Sequence, residues 1–228
     1  MYLFLIFNSQ DNKMKKFNPS YIGPRDDVFN LIPANVKRVL DVGCSIGSLG
    51  RRIKGVYNAT VFGIEIDNEM AKIAKKYLDK VIISDVEKIN FDKYFKPKYF
   101  DCIIFADVLE HLKDPWSVLK NIKKILKDDG FVIASIPNIR HYSTITNLLF
   151  KGYWPYNERG LFDRTHLRFF TLKNIKEMFK SAELEIIKIR SNYRIIERPS
   201  KINKISKIFA FPLLREFITF QYLIIAKK

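Results

Sequence analysis

Cysteine is scarce, since only Cys44 and Cys102 occur among 228 residues. Two cysteines are too few for a disulfide framework or for a structural zinc site built on cysteine, and they indicate a reducing compartment. We therefore expect a cytoplasmic protein, and the sequence predicts no metal site.

Long apolar runs are missing as well. No segment approaches the roughly 18 apolar residues that a membrane-spanning helix needs. The apolar run 2–7 is too short for the core of a signal peptide, and no basic residue precedes it. We expect residues 1–13 to form an N-terminal extension and residues 14–228 to form a single domain. An N-terminal strand or helix packed on that domain is the alternative.

Acidic residues are outnumbered, because 24 Asp and Glu face 40 Lys and Arg, which gives a net charge of +16. Hydrophobic residues make up 47%, so the chain can form a core, unlike a disordered protein. The charge suggests nucleic acid, an anionic membrane or a lysine-rich composition. No RNA-binding module is recognisable, which argues against nucleic acid as a partner.

Apolar runs alternate with helical patterns along most of the chain. The predicted strands are 38–42, 60–66, 80–84, 100–106, 130–136, 184–189 and 220–226, and the predicted helices are 69–78, 115–126, 141–150 and 172–179. Strands that alternate with helices predict an α/β fold with a doubly wound, mostly parallel sheet.

A glycine-containing loop follows the first predicted strand. Gly43, Ser45 and Gly47 are small enough for a sharp turn and for close approach to a ligand. The nicotinamide fingerprint fails because Ser45 and Ser48 stand where glycines are needed, and no Gly-Lys-Ser/Thr ends the loop as in a phosphate-binding Walker loop. The loop predicts ligand binding but does not identify the ligand.

Acidic residues end three further predicted strands. Glu65, Asp85 and Asp107 follow the second, third and fourth strands. A carboxylate at the second strand can accept hydrogen bonds from both hydroxyls of a ribose, and the next can accept from an exocyclic amine. An acidic crevice of this kind suits a nucleoside without phosphates.

The ordered motifs resemble those of class I S-adenosylmethionine-dependent methyltransferases. The series is D-V-G-C-S-I-G, G-I-E-I-D, I-I-S-D, F-D-C-I-I-F-A-D-V-L-E-H and L-K-D-D-G-F-V-I-A-S-I-P-N, within residues 36–138. Ser45 departs from the commonest form, which has a second glycine there. The resemblance implies a Rossmann-like fold with seven strands and an antiparallel last strand, and S-adenosyl-L-methionine as cofactor.

The resemblance also implies roles for individual residues. Asp41 would orient the loop, Glu65 would hold the ribose, and Ala106 would line the sulfonium end. The remaining implied cofactor contacts are Gly43, Ser45 and Gly47 at the methionine part, Ile66 against the adenine, and Asp85 with Val86 at the adenine edge. Turn capping is the alternative role for Asp41 and Asp85, and a plain surface position is the alternative for Glu65.

Histidine is rare, and all three histidines lie near the predicted active face. A hydroxyl acceptor benefits from a general base, and histidine suits neutral pH. We rank His166 first as that base, then His141, then His111; a structural role in holding a loop is the alternative for each.

The segments around the last two histidines lie in an acceptor-side insert at about 138–170. P-N-I-R-H-Y and D-R-T-H-L-R-F-F-T resemble methyltransferases found alongside glycosyltransferases in surface-polysaccharide pathways. This implies glycan biosynthesis and a sugar hydroxyl or other small molecule as acceptor. We expect Tyr142 and Arg164 to contact the acceptor.

A basic insert is predicted at about 195–217. Lys201, Lys204 and Lys207 recur every third residue among apolar side chains. An amphipathic helix on an anionic membrane would explain this pattern and would place the protein at the inner face of the membrane. A surface insert with solvated lysines is the alternative. Two other functions also stay open, an RNA methyltransferase and a non-catalytic S-adenosylmethionine-binding accessory protein.

Overall fold

A computed structural model describes residues 22–196, 200, 203 and 214–228. The predicted extension 1–13 lies outside the described residues, as do Lys201, Lys204 and Lys207 of the predicted basic insert. Within the described part of the chain, no helix is long and apolar enough to cross a membrane.

Seven strands form one sheet, in the order β3-β2-β1-β4-β5-β7-β6. They are β1 (Arg38–Val42), β2 (Thr60–Glu65), β3 (Lys80–Ile83), β4 (Phe100–Ala106), β5 (Leu126–Pro137), β6 (Glu185–Tyr193) and β7 (Thr219–Lys227). The pairs from β3 to β5 are parallel, and β7 runs antiparallel to both β5 and β6. The predicted fold class is therefore confirmed, including the antiparallel last strand.

The helices connect these strands and cover the sheet. They are α1 (Asp26–Phe29), α2 (Ser48–Tyr57), α3 (Asn68–Ala74), α4 (Pro115–Ile125), α5 (Tyr142–Lys151), α6 (Leu172–Ser181) and α7 (Arg215–Ile218). Single 3-10 turns occupy Val86–Lys88, Phe91–Lys93 and Leu109–His111. The last of these turns lies directly after β4, at the edge of the sheet where ligands bind in such folds.

The central strands are buried on both faces, as expected for parallel strands between two helical layers. Along β4, Ile103 and Phe105 belong to the core on one side of the sheet, and Cys102 and Ile104 belong to the core on the other. Two apolar layers therefore hold the strands in place, and the acidic side chains Asp41 and Glu65 lie near the carboxyl ends of their strands.

Several predicted boundaries differ from the structure, such as the sixth strand, which ends at Tyr193 rather than at residue 189, and two of the differences have a local cause. The fifth strand begins at Leu126 rather than at residue 130, because Leu126 pairs with Phe100 ahead of an irregularity in β5, after which Phe131 pairs with Cys102. The helix predicted at 69–78 is shorter and begins at Asn68, where the Asp67 side chain caps it by accepting from the backbone N–H groups of Glu69 and Met70.

Candidate active site

A cavity of about 620 Å³ opens at the carboxyl ends of β1, β2 and β4. Its wall includes most of the predicted cofactor residues, which are Asp41, Gly43, Ser45, Glu65, Ile66, Asp85, Val86 and Ala106. A site of this volume, with carboxylates on a largely apolar wall, can hold a nucleoside-sized ligand.

The loop after β1 adopts a backbone that favours glycine. Gly43 has a φ of 68° and Ser45 a φ of 51°. A Cβ atom on Gly43 would lie 2.6 Å from Val108 Cγ2, so a side chain there would have to displace Val108. The Gly43 and Cys44 N–H groups donate to the Ile64 carbonyl oxygen, which fastens the loop to the end of β2.

Gly47 has a different role from Gly43. It does not line the cavity; with a φ of 82°, it precedes α2 and packs against α3. A Cβ atom there would lie 3.2 Å from Ala74 Cα. The structure therefore places Gly47 outside the cavity wall, where it lets two helices approach.

Glu65 joins the first two strand ends. Its Oε2 accepts from the Ser45 N–H at 2.7 Å, and its Oε1 accepts from the Asp67 N–H at 2.9 Å. A carboxylate offers about four acceptor positions, so two remain for hydroxyl donors in the cavity. The sequence predicted a ribose contact here, and the geometry fits one.

Two other carboxylates on the cavity wall differ in environment. Burial, followed by the nearby Glu65 carboxylate, raises the pKa of Asp41 to about 7. Asp85 lies at the adenine side predicted by the motifs, and its Oδ1 accepts from the Glu87 N–H at 3.0 Å. Asp85 therefore both caps a turn and lines the cavity.

The three histidines separate into two groups. His111 and His166 line the cavity with their ring centroids 4.8 Å apart. His141 is fully buried outside that lining, where its Nε2 lies 2.9 Å from the Arg194 carbonyl oxygen and its Nδ1 lies 2.7 Å from Ser143 Oγ. Both ring nitrogens of His141 are thus occupied by structural partners, because the residue caps α5 and ties it to the end of β6.

The predicted acceptor contacts Tyr142 and Arg164 also lie outside the cavity wall. The Tyr142 hydroxyl donates to the Ile195 carbonyl oxygen. Arg164 pairs with Glu158 on the surface at 3.0 Å. Tyr142 is thus bonded to the segment after β6 and Arg164 to its own insert, and neither side chain belongs to the cavity wall.

Glu110 is a cavity residue that sequence reasoning missed. Only 1% of it is exposed, and neither carboxylate oxygen has a hydrogen-bond partner among the described residues. Burial and then Asp107 raise the pKa of Glu110 well above its ordinary value. Its Oε1 lies 4.0 Å from His166 Nε2, and burial followed by His111 lowers the pKa of His166 to about 4.

Arg25 is a second cavity residue that the sequence did not indicate. Its guanidinium donates to Asp107 at 2.7 Å and to Ser135 Oγ at 2.8 Å, and it also pairs with Asp27. Gln221 donates to Asp107 as well. This network fixes the loop after β4 beside Ala106. In the sequence, the only sign of this network was Asp107 at a strand end, because its partners Arg25 and Gln221 are far from it along the chain.

A family model described as methyltransferase domain matches residues 14–189. The chain belongs to this family. Each motif that carried the resemblance to S-adenosylmethionine-dependent methyltransferases contributes residues to the cavity wall.

Individual relatives agree with the family. The ubiquinone biosynthesis O-methyltransferase of Nitrosomonas europaea is 29% identical over 134 residues, which cover 58% of this chain and 56% of that protein. An uncharacterized protein of Methanocaldococcus jannaschii is 30% identical over 168 residues, which cover 74% of this chain and 73% of that protein. The chain thus spans about half the length of the curated O-methyltransferases it matches.

Solved structures share the fold. A methyltransferase from Archaeoglobus fulgidus, described as dependent on S-adenosylmethionine, has a TM-score of 0.62 and 20% identity, with both chains covered completely. S-adenosylmethionine, the cofactor of that protein, carries a methyl group that a sulfonium activates. The spare acceptor positions of Glu65 and the side-chain-free backbone at Gly43 fit this cofactor.

Proposed function

We propose that the methyltransferase methylates a hydroxyl oxygen of a small-molecule or glycan acceptor. The observation that carries this proposal is the shared cavity, which joins the cofactor residues to Glu110, His111 and His166. The acceptor is held against these three residues. The curated relatives named as O-methyltransferases support oxygen as the atom that is methylated.

On the cofactor side, Glu65 accepts the two ribose hydroxyls, and Asp85 with Val86 contacts the adenine edge. Gly43 and Ser45 give the methionine part a close backbone, and Ala106 lies at the sulfonium end. All six line the cavity. Because the leaving group is already activated, much of the catalysis consists of holding the acceptor oxygen in line with the methyl carbon.

On the acceptor side, the hydroxyl loses its proton at the group formed by Glu110, His111 and His166. The proton passes either directly to the His166 ring, which is the predicted general base, or to solvent by way of a ligand bound to these three residues. His141 takes no part, because both of its ring nitrogens have structural partners.

The sugar acceptor rests on the resemblance of two segments to glycan methyltransferases. Part of the aromatic set in the insert packs internally, since Trp154 lies against Phe162 and Phe169. Tyr153 and Tyr156 are exposed, and they offer faces on which a sugar ring can stack. Membrane contact through residues 195–217 stays a prediction.

The experiment pairs cofactor binding with methyl transfer. Calorimetry with S-adenosylhomocysteine measures binding, and labelled methyl transfer to a panel of sugars and phenols measures turnover. We expect the His166→Asn variant to bind S-adenosylhomocysteine like the wild type but to lose turnover. An unchanged turnover would remove His166 from the acceptor site, and salt-dependent RNA binding would favour the RNA methyltransferase reading.

A further inference from the structure

Glu110, His111 and His166 form a compact set of ligand-type side chains on the acceptor side of the cavity. One carboxylate oxygen and one ring nitrogen from each histidine all lie within 4.8 Å of one another. Glu110 and His111 are adjacent on the 3-10 turn after β4, and His166 comes from the insert. Two separate segments of the chain therefore converge here.

The carboxylate of Glu110 lacks the partners that its burial requires. Neither oxygen accepts a hydrogen bond from any described residue, although the side chain is essentially inaccessible. Arg25 is engaged by Asp27 and Asp107 instead. A buried carboxylate is costly unless a cation or hydrogen-bond donors compensate it, so this side chain is aimed at a ligand.

The ring of His111 is oriented by Thr165. Its Nδ1 lies 3.0 Å from Thr165 Oγ1 and 3.2 Å from the Thr165 carbonyl oxygen. Since the Thr165 hydroxyl donates its proton to Asp163 at 2.6 Å, both Thr165 atoms are acceptors towards the ring. Nδ1 must carry the ring proton, which leaves the lone pair of the neutral ring on Nε2. Metal-binding histidines are held in this way.

His166 is held similarly. Its ring hydrogen-bonds to the backbone of Leu161, and its Nε2 lies 4.0 Å from Glu110 Oε1. The ring is 5% exposed. The two imidazoles and the carboxylate thus surround one point, and each histidine has a partner that fixes its orientation.

We infer that Glu110, His111 and His166 bind one divalent cation of the first transition row, with an open position for the acceptor oxygen. Two imidazoles with one carboxylate are a common ligand set for Zn²⁺ and Fe²⁺, whereas Mg²⁺ and Ca²⁺ favour oxygen ligands alone. Coordination bonds of about 2.0–2.2 Å require these atoms to approach by about 1 Å, which side-chain rotation supplies.

The catalytic part of this inference rests on the proposed function. An acceptor hydroxyl bound to the cation has a lower pKa and releases its proton to solvent. The resulting oxygen uses one lone pair to form the O–CH₃ bond while the S–CH₃ bond breaks. The electron pair of that bond returns to sulfur, which becomes a neutral thioether. No redox partner is needed, and His166 acts as a ligand instead of the base.

Metal binding is tested on the untagged full-length protein after dialysis against a chelator. Calorimetric titration with Zn²⁺ should give one site per chain, and Mg²⁺ should bind far more weakly. The Glu110→Gln and His166→Ala variants should each lower the Zn²⁺ affinity at least tenfold. Asp85→Asn, which changes a carboxylate elsewhere on the same wall, should bind Zn²⁺ like the wild type.

A thermal-shift readout follows the same variants. Zn²⁺ at about 100 times its dissociation constant should raise the wild-type melting temperature by about 5–10 °C. Glu110→Gln should lose this rise, although S-adenosylhomocysteine binding shows that it is folded. Failure of the wild type to bind Zn²⁺, or Zn²⁺ binding that survives both ligand variants, would overturn the inference.

The two proposals fail in different ways. If Zn²⁺ binds at these ligands but no hydroxyl acceptor is methylated, the cation site stands and the proposed function fails. If an acceptor is methylated equally well before and after chelation, and no Zn²⁺ binds, the proposed function stands and the cation site is wrong.

Discussion

The Glu65 carboxylate accepts the backbone N–H of Ser45 at 2.7 Å, and this bond ties the end of β2 to the loop that follows β1. The same carboxylate is fixed from the other side by the Asp67 N–H. A side chain that is held twice by backbone is a rigid acceptor for ribose hydroxyls. The bond therefore links the shape of the loop to cofactor affinity.

Replacing this carboxylate should weaken cofactor binding. We expect Glu65→Ala to lower S-adenosylhomocysteine affinity by about 100-fold, since hydrogen bonds to a charged group contribute about 1.5–3 kcal/mol each. Calorimetry measures the change. The control is Glu69→Gln, which alters an exposed carboxylate on α3 that pairs with Lys72. Equal affinities for Glu65→Ala and the control would contradict the ribose assignment.

Two glycine substitutions should have opposite effects. Gly43→Ala places a methyl group 2.6 Å from Val108 Cγ2 at a positive φ, so we expect weaker cofactor binding and lower stability. Gly55 lies on α2, and the Cβ atom added by Gly55→Ala would have no atom within 4 Å. This substitution should therefore stabilise the protein by about 0.5–1 kcal/mol. Urea denaturation of both variants checks the signs. Stabilisation by Gly43→Ala would be inconsistent with the described loop.

Substitutions of two histidines should affect different properties, stability for His141 and turnover for His166. We expect His141→Ala to lower the free energy of unfolding by about 2–4 kcal/mol, because it removes a buried ring and its two hydrogen bonds, while the folded enzyme keeps its turnover. His166→Asn should keep its cofactor affinity and lose at least 100-fold in turnover. Denaturation and initial rates measure the two effects, and a loss of turnover in folded His141→Ala would reverse the assignment.

Asp101 should make stability depend on pH. Its carboxylate pairs with Lys127 and accepts the Lys37 and Arg38 N–H groups, at 3.0 Å and 2.7 Å. These partners, with the Lys127 hydrogen bond first, outweigh burial and hold the pKa below 3.8. A depressed folded pKa contributes stability that is present above the unfolded value and is lost as the pH falls through the folded value.

Asp101→Asn tests this dependence. We expect the variant to be less stable than the wild type by about 1–2 kcal/mol at pH 7. The difference should stay constant down to about pH 5 and narrow below about pH 4, where the wild-type carboxylate takes up its proton. Urea denaturation across this range measures it. A difference that is independent of pH would show that the ion pair does not carry the stability.

The clustering of the predicted cofactor residues at one edge could be predicted because most of them lie at or just beyond a strand end. Parallel strands bring those ends to one edge, so Asp41, Glu65 and Asp85 meet without any knowledge of the loops. Gly47 was expected beside the methionine part, and the structure shows it at a contact between helices, outside the cavity wall. Local spacing does not distinguish these two uses of a small residue.

The acceptor side was less predictable because its residues come from distant segments. His141 and Tyr142 lie in a conspicuous motif, yet their polar atoms bond to the backbone after β6. Glu110 was passed over beside His111, because only the folded insert brings His166 to it. Burial and missing hydrogen-bond partners are properties of the fold, and no sequence pattern shows them.

Transfer of a labelled methyl group tests the central claim that one cavity holds both cofactor and acceptor. Wild type, Glu65→Ala and His166→Asn are compared on a panel of hydroxylated acceptors, together with S-adenosylhomocysteine binding. We predict labelled product from the wild type, loss of both binding and product in Glu65→Ala, and loss of product alone in His166→Asn. Wild-type product formation by His166→Asn would contradict the account.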